Sequence, residues 1–156
     1  MDAAMLVSAR ALMARCGHLV LATLDERGGP DARTLFNLRR MRSEVFADGP
    51  AALEGFGTWL ATNTSSRKVR EIRRDPRACL YFQDEAAFEG LTLQGRLEEC
   101  VDPAVRAALW MPGWEMYYPG GLGGGDFTVL RFLPARLRWY HGLRTEELEL
   151  PEGGAT

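Results

Sequence analysis

ATNTSSRKVREIRRDPRACLYF, residues 61–82, sets the end of one strand, a short helix and the start of another strand in a row, and loads the helix with charge. Six of the 19 basic residues fall between Arg67 and Arg77, in a chain whose formal net charge is -2. Lys68 is the one lysine; every other basic residue is arginine. Ser65 or Ser66 is placed to cap the helix, and Pro76 restricts Asp75 and ends it. The first-turn N–H groups of such a helix have no internal partner, and with the positive end of the helix dipole they form an anion site. Arg67 and Lys68 oppose that dipole, by roughly 0.3–1 kcal/mol each in an isolated helix. A bound phosphate reverses the sign, because each charge-assisted hydrogen bond to it contributes on the order of 1.5–3 kcal/mol. Val69 and Ile72 share the face that pins the helix down. Two readings of the basic run follow: a phosphate site at the helix start, or a solvated basic face.

The neighbouring segments read as a β protein with helical decorations. Met5, Leu6, Ala9, Leu12 and Met13 recur at helical spacing and predict a helix over 3–15. HLVLATLD, 18–25, predicts a strand, ERGGP a turn, and DARTLFNLRR, 31–40, a second strand. That second strand would carry Arg33, Leu35, Asn37 and Arg39 on one face and Ala32, Thr34, Phe36 and Leu38 on the other. Adjacent strands lie ~4.8 Å apart, so the Arg33 face can border Thr62 and the helix start. A donor-rich, partly apolar wall beside an anion site suits a flat heteroaromatic ring with a phosphate tail; the alternative is a solvent-facing polar strand face. Residues 42–57 predict a loop or a short strand with an excursion. GTWLATN, RACLYF, LTLQGRLEE, FTVLRFL and RLRWYHG predict strands, and DPAVRAALW a helix capped by Asp102 with Pro103 in its first turn. Residues 112–126 are irregular, aromatic and glycine-rich. The expectation is one domain over 1–145 and a flexible tail over 146–156. About six or seven short strands with few helices indicate a mainly β fold, a barrel rather than alternating βα units.

Composition narrows the classes. The 156 residues fit one domain with a real core, and 46% hydrophobic against 26% charged is ordinary for a water-soluble globular chain. No apolar run approaches the ~18 residues of a membrane span, and the start lacks the basic and apolar regions of a secretory leader. Three cysteines without CxxC spacing predict reduced thiols and a cytoplasmic setting. Near-neutral charge argues against a nucleic-acid partner, and the glycines of 120–125 fit no dinucleotide or Walker pattern. His18 and His141 lack the spacing of a metal pair, so no metal site is expected.

Together LATLDERGGPDARTLFNL, WLATNTSSRKVREIRRDPRACLYF and LTLQGRLEE resemble the pyridoxamine 5′-phosphate oxidase-like flavoproteins, the FMN-binding split β-barrels. The tail, WMPGWEMYYPGG followed by FTVLRFLPARLRWY, looks like the general-stress-protein branch. The resemblance implies a split β-barrel and a homodimer with FMN in a cleft at the interface. Carried over by position, it assigns Arg33 and Lys68 as basic FMN contacts, with Arg67 beside the phosphate. It places the backbone of Thr34, Leu35 and Phe36 at the ring, and the hydroxyls of Thr62 and Ser66 nearby. Trp110, Trp114, Tyr117 and Tyr118 would cover the interface or the flavin, core packing being the alternative. The implied activity is that of a flavin-dependent oxidoreductase with an unidentified substrate. The alternatives are a non-catalytic flavin-binding stress or sensor protein, or a split barrel holding deazaflavin or haem. Three departures count against pyridoxamine phosphate oxidation: Leu38 stands where the oxidase has a substrate-contacting Lys, Gly90 where it has a flavin-contacting Gln, and RLRWYHG lacks the Arg-x-His spacing.

Overall fold

Strand β1 (His18–Leu24) buries Leu19, Leu21 and Thr23 on one face and leaves Val20 and Ala22 half-covered on the other. It is the second strand of a seven-stranded antiparallel sheet in a computed structural model that describes residues 1–151. β1 pairs with β2 (Pro30–Phe36) on one side and β4 (Arg77–Asp84) on the other. β5 (Glu89–Cys100) follows β4, and β6 (Phe127–His141) follows β5. The first half of β6 pairs with β3 (Thr58–Asn63) and the second half with β7 (Arg144–Glu149). Among the described residues β2 pairs with β1 alone and β3 with β6 alone, so the path β2-β1-β4-β5-β6-β3 does not close.

Two cores fill this open barrel. Helix α1 (Ala3–Arg15), capped by Asp2 accepting from Met5 N–H at 2.9 Å, packs Ala9, Leu12 and Met13 into a cluster with Leu21, Leu80, Phe82, Leu93 and Phe132. Each Leu, Met or Phe side chain among them taken fully out of water contributes about 1.5–3 kcal/mol. The second cluster joins Trp59 and Val129 to Leu38, Phe46, Val105, Leu109, Trp114, Tyr118 and Phe127. Val105 and Leu109 come from α5 (Pro103–Leu109), whose cap Asp102 accepts from Ala104 N–H at 2.8 Å.

The strand expected over 31–40 stops at Phe36. Asn37 is fully buried; its amide donates to Met13 O (2.7 Å) and Cys16 O (2.8 Å), and its oxygen accepts from Arg39 N–H (3.2 Å). The end of α1 thus fixes Asn37 as the cap of α2 (Leu38–Met41), and a further short helix, α3 (Ser43–Ala47), follows inside the expected loop. FTVLRFL and RLRWYHG form one strand, β6, rather than two. It runs through Pro134 by a shift of register opposite Gln94 and Gly95. A Cβ on Gly95 would lie 2.1 Å from Leu133 O, so glycine permits that close approach. The expected flexible tail fails over 146–149, which belong to β7, with Leu148 against the first core and Leu150 buried. Residues 152–156 of that tail lie outside the described residues. No helix among the described residues is long and apolar enough to cross a membrane.

Candidate functional site

The unclosed side of the barrel is a cavity of about 250 Å³. Thr34, Leu35 and Phe36 at the end of β2 form one wall, and Ala61, Thr62 and Asn63 at the end of β3 form the other. Both are edge strands, so the backbone on the cavity side of each is free of ladder partners. Lys68, from helix α4 (Arg67–Arg74), closes one end. Trp114, Tyr117 and Tyr118 close the other, with Leu38 and His18 completing the lining. Five of the eight expected site residues therefore meet in one cavity: Thr34, Leu35, Phe36, Thr62 and Lys68.

The remaining three lie behind that wall. Ser66 reaches it only through its hydroxyl, 3.5 Å from that of Thr62. Arg33 turns away: Nη2 donates to Glu71 Oε2 (2.8 Å) and Asp31 Oδ2 (2.9 Å), and Nη1 to Thr23 Oγ1 (2.5 Å). Arg67 also bonds to Asp31 Oδ2. The expected wall of Arg33, Leu35, Asn37 and Arg39 is therefore corrected. Leu35 alone of the four lines the cavity, Asn37 is the buried cap, and Arg39 donates to the carbonyls of Gly55 and Gly57.

Helix α4 shows where its charge goes. Arg73 pairs with Glu99 and Arg77 with Asp75, while Arg70 and Arg74 donate to the carbonyls of Ser65 and Leu24. Of the six basic residues Lys68 is the one that is not exposed, and its ammonium donates to Thr62 Oγ1 at 2.8 Å. No carboxylate among the described residues comes within ion-pair distance of it. Burial, then the charge of Arg33, hold the Lys68 pKa below its ordinary value, with Glu71 pulling the other way. Val69 and Ile72 anchor α4 in the interior, as the spacing predicted, but Glu71 is buried beside them at 3% exposure. Ser66 occupies the cap position of α4 without a side-chain capping bond, so the hydroxyl leaves the first-turn N–H groups open.

The aromatic end is held by hydrogen bonds from β3. Asn63 Nδ2 donates to Tyr117 O (2.9 Å) and to Asp126 Oδ2 (2.8 Å), and Asp126 Oδ1 accepts from Ser65 N–H (2.8 Å). These bonds, the Asn63 side chain first, hold the Asp126 carboxyl below its usual range. Trp114 and Tyr118 are both buried and pack with Trp110 and Phe127, so core packing and cavity lining coincide in them. Burial, then Asp126, push the Tyr118 phenol up to about 12, so it stays a neutral donor. Tyr117 is 45% exposed and faces Phe36, itself 46% exposed, edge-on at 6.4 Å.

His18, Ala61 and Asn63 belong to the cavity without having been expected there. His18 stands opposite Phe36 in the β1–β2 register and packs against it at 5.4 Å, a pairing that the sequence of either strand alone does not show. Asn63 follows Thr62 directly, and its two-donor amide at a strand end was the available signal. No group of three or more metal-binding side chains that could hold an ion is present among the described residues.

The family model described as pyridoxamine 5′-phosphate oxidase matches residues 7–140. Among solved structures, a protein from Clostridium acetobutylicum related to general stress protein 26 is 30% identical, over 96% of each chain, with a TM-score of 0.75. General stress protein 26 from Bacillus anthracis is 13% identical over 94% of this chain and 98% of its own, with a TM-score of 0.72. A haem-binding protein from Mycobacterium smegmatis is 22% identical over 96% of this chain and 59% of its own, with a TM-score of 0.67. No curated protein gives a significant match.

Proposed function

The chain belongs to the pyridoxamine 5′-phosphate oxidase family, and from that premise we propose that it is a flavoprotein binding FMN in the cleft between β2 and β3. Lys68 carries the reading. A half-buried cation without a carboxylate, beside an uncapped helix start and at the end of an aromatic-walled cavity, fits an anionic group on a planar ring. The phosphate would take Lys68 Nζ and the first N–H groups of α4, with the hydroxyls of Thr62 and Ser66 alongside. The ring would lie against the free backbone edge of Thr34–Phe36 and the side chains of Trp114, Tyr117 and Tyr118.

Bound FMN would supply hydride and electron transfer, which makes the protein a flavin-dependent oxidoreductase. The chain's own contribution is orientation, a fixed positive charge and exclusion of water. At the position of the oxidase's substrate-contacting lysine, Leu38 is buried and turns an apolar side chain to the cavity. An apolar side chain there offers no charge to a second phosphate, which counts against pyridoxamine phosphate as the substrate.

The partner would be a second copy. Thr34, Val20, Tyr81 and Thr92 pair in one row across β2, β1, β4 and β5, and Ala32, Ala22, Cys79 and Gln94 in the next, with no charge until Arg138 and Arg136 of β6 continue the rows. Thr34 also lines the cavity, so a copy seated on this face reaches the cleft. At about 250 Å³ the cleft is smaller than typical ligand pockets of ≈ 300–1,000 Å³, as expected of a site that a partner completes.

The test is the absorbance spectrum of the purified protein, mass analysis of what it releases, and titration with FMN and riboflavin. Affinity for FMN at least about a hundredfold above riboflavin is expected from two charge-assisted contacts; equal affinities overturn the phosphate assignment. Steady-state NAD(P)H oxidation with added acceptors separates an enzyme from a flavin store or sensor, and sedimentation with FMN tests the dimer. A haem spectrum would support a second reading, which His18 in the cavity lining and the haem-binding neighbour favour; the released mass separates FMN from a deazaflavin.

A further inference from the structure

Arg67 and Lys68 stand together at the start of α4, yet Lys68 meets the cavity while Arg67 is turned onto Asp31. One oxygen of Asp31, Oδ2, accepts from both Arg67 and Arg33. Behind them Glu71 accepts from Arg33 and Thr23 through Oε2, whereas its Oε1 lies 3.3 Å from Arg67 Nε without a hydrogen bond. Burial ranks these contacts. The side chains of Glu71 and Arg33 are 3% and 19% exposed, so parting them would strand a buried charge. The Arg67 side chain is 68% exposed and that of Asp31 25%, so parting them leaves both in reach of water. Asp31 would still keep its bond to Arg33, and Glu71 would lose only a misaligned contact.

We infer that Asp31 is a built-in competitor for the anion at the start of α4. Arg67 exchanges the Asp31 carboxylate for an incoming phosphate, while Arg33 stays on Glu71 and holds the corner in shape. Asp31 then sets how strongly the cleft separates phosphorylated from unphosphorylated ligands, and Arg33 is a positioning residue rather than a phosphate contact. The inference rests on the phosphate-bearing ligand proposed above.

Asp31→Asn removes the competing charge and leaves the Arg33–Glu71 pair in place. FMN, followed by its fluorescence, should bind the variant about threefold to fivefold more tightly than the parent, the scale of one exposed ion pair. Riboflavin should bind both alike. In an Arg67→Met background, at a side chain too exposed for folding to depend on it, the gain should vanish. Unchanged or weaker FMN binding, an equal gain for riboflavin, or a gain that survives Arg67→Met overturns the exchange. Inorganic phosphate, titrated by 31P NMR, keeps the two proposals apart. Tighter phosphate binding by Asp31→Asn with no FMN bound by either protein upholds the exchange and ends the flavin reading. Equal FMN binding by both proteins does the reverse.

Discussion

Lys68→Ala tests the assignment of the cleft most directly, because the free protein and the complex respond in different ways. In the free protein the ammonium gives one charge-assisted hydrogen bond to Thr62 Oγ1, of about 1.5 kcal/mol at the weak end of the range for a neutral partner. Against that stand its burial, the nearby Arg33 and the positive end of α4, all of which disfavour a cation there. The two sides nearly cancel, so urea unfolding without flavin should shift by no more than about 0.5 kcal/mol. With FMN bound, the variant lacks one charge-assisted hydrogen bond of about 1.5–3 kcal/mol. That corresponds to a rise in Kd of roughly tenfold to 150-fold, read by flavin fluorescence at fixed ionic strength. Riboflavin should bind parent and variant equally. Arg73→Ala is the matched control: its guanidinium is held by Glu99 at 2.5 and 3.0 Å, toward the far end of the same helix, and FMN binding should not change. If Lys68→Ala takes up FMN as well as the parent, the phosphate does not sit at α4. If both variants weaken binding equally, a diffuse basic surface binds the ligand.

Three further outcomes follow from the same geometry. On the FMN reading the phosphate is held by protonated Lys68, whose pKa burial and then Arg33 lower from its ordinary value, so affinity should fall at a pH below the ordinary lysine range; Lys68→Arg should keep it to higher pH, and riboflavin titrated in parallel should show no such difference. The Asp75 carboxyl is held at about 2, chiefly by the Arg77 side chain and then its backbone N–H. A depressed carboxylate stabilises fully above its unfolded value of about 4 and loses that contribution as pH falls through about 2, so melting temperature should drop across this window and Asp75→Asn should flatten the drop. At Gly95 an added Cβ meets backbone, at 2.1 Å from Leu133 O, whereas at Gly90 it meets the Tyr81 hydroxyl at 2.3 Å, on a side chain 37% exposed and able to swing away. Gly95→Ala should therefore cost about 1–3 kcal/mol in urea unfolding and Gly90→Ala less than about 1 kcal/mol.

Where one segment's own pattern decides its structure, the sequence was readable. Helix 3–15, the strand at 18–24, the stop of α4 before Pro76 and the Asp102–Pro103 start of α5 all follow from local spacing and capping. The failures share a cause: a distant partner decides. The alternation of 31–40 gives no warning that Asn37 finds two carbonyls at the end of α1. Pro134 looks like a break until Gly95 stands opposite it. In the site, Thr62 and Lys68 were legible because strand, cap and helix start are consecutive in the chain. Glu71 was not, since nothing in RKVREIRR shows that its carboxylate meets Arg33 from β2 in the interior. His18 joins the cavity only through its register with Phe36.

β5 ends at Cys100, β6 begins at Phe127, and the two strands are already in register from Cys100 opposite Val129. The excursion 101–126 therefore leaves the sheet and returns to it at neighbouring points that the ladder fixes on its own. Lengthening such an excursion adds little closure entropy, because that cost grows only with the logarithm of length. The excursion also supplies Trp114, Tyr117 and Tyr118 to the cleft, while Phe36, Thr62 and Lys68 come from β2, β3 and α4. Evolution can thus treat the two parts of the lining separately, keeping the strand and helix part fixed and recasting the excursion as an interchangeable cassette. The constraint on a new cassette is that it still fill the space of Val105, Leu109, Trp114 and Tyr118 in the second core.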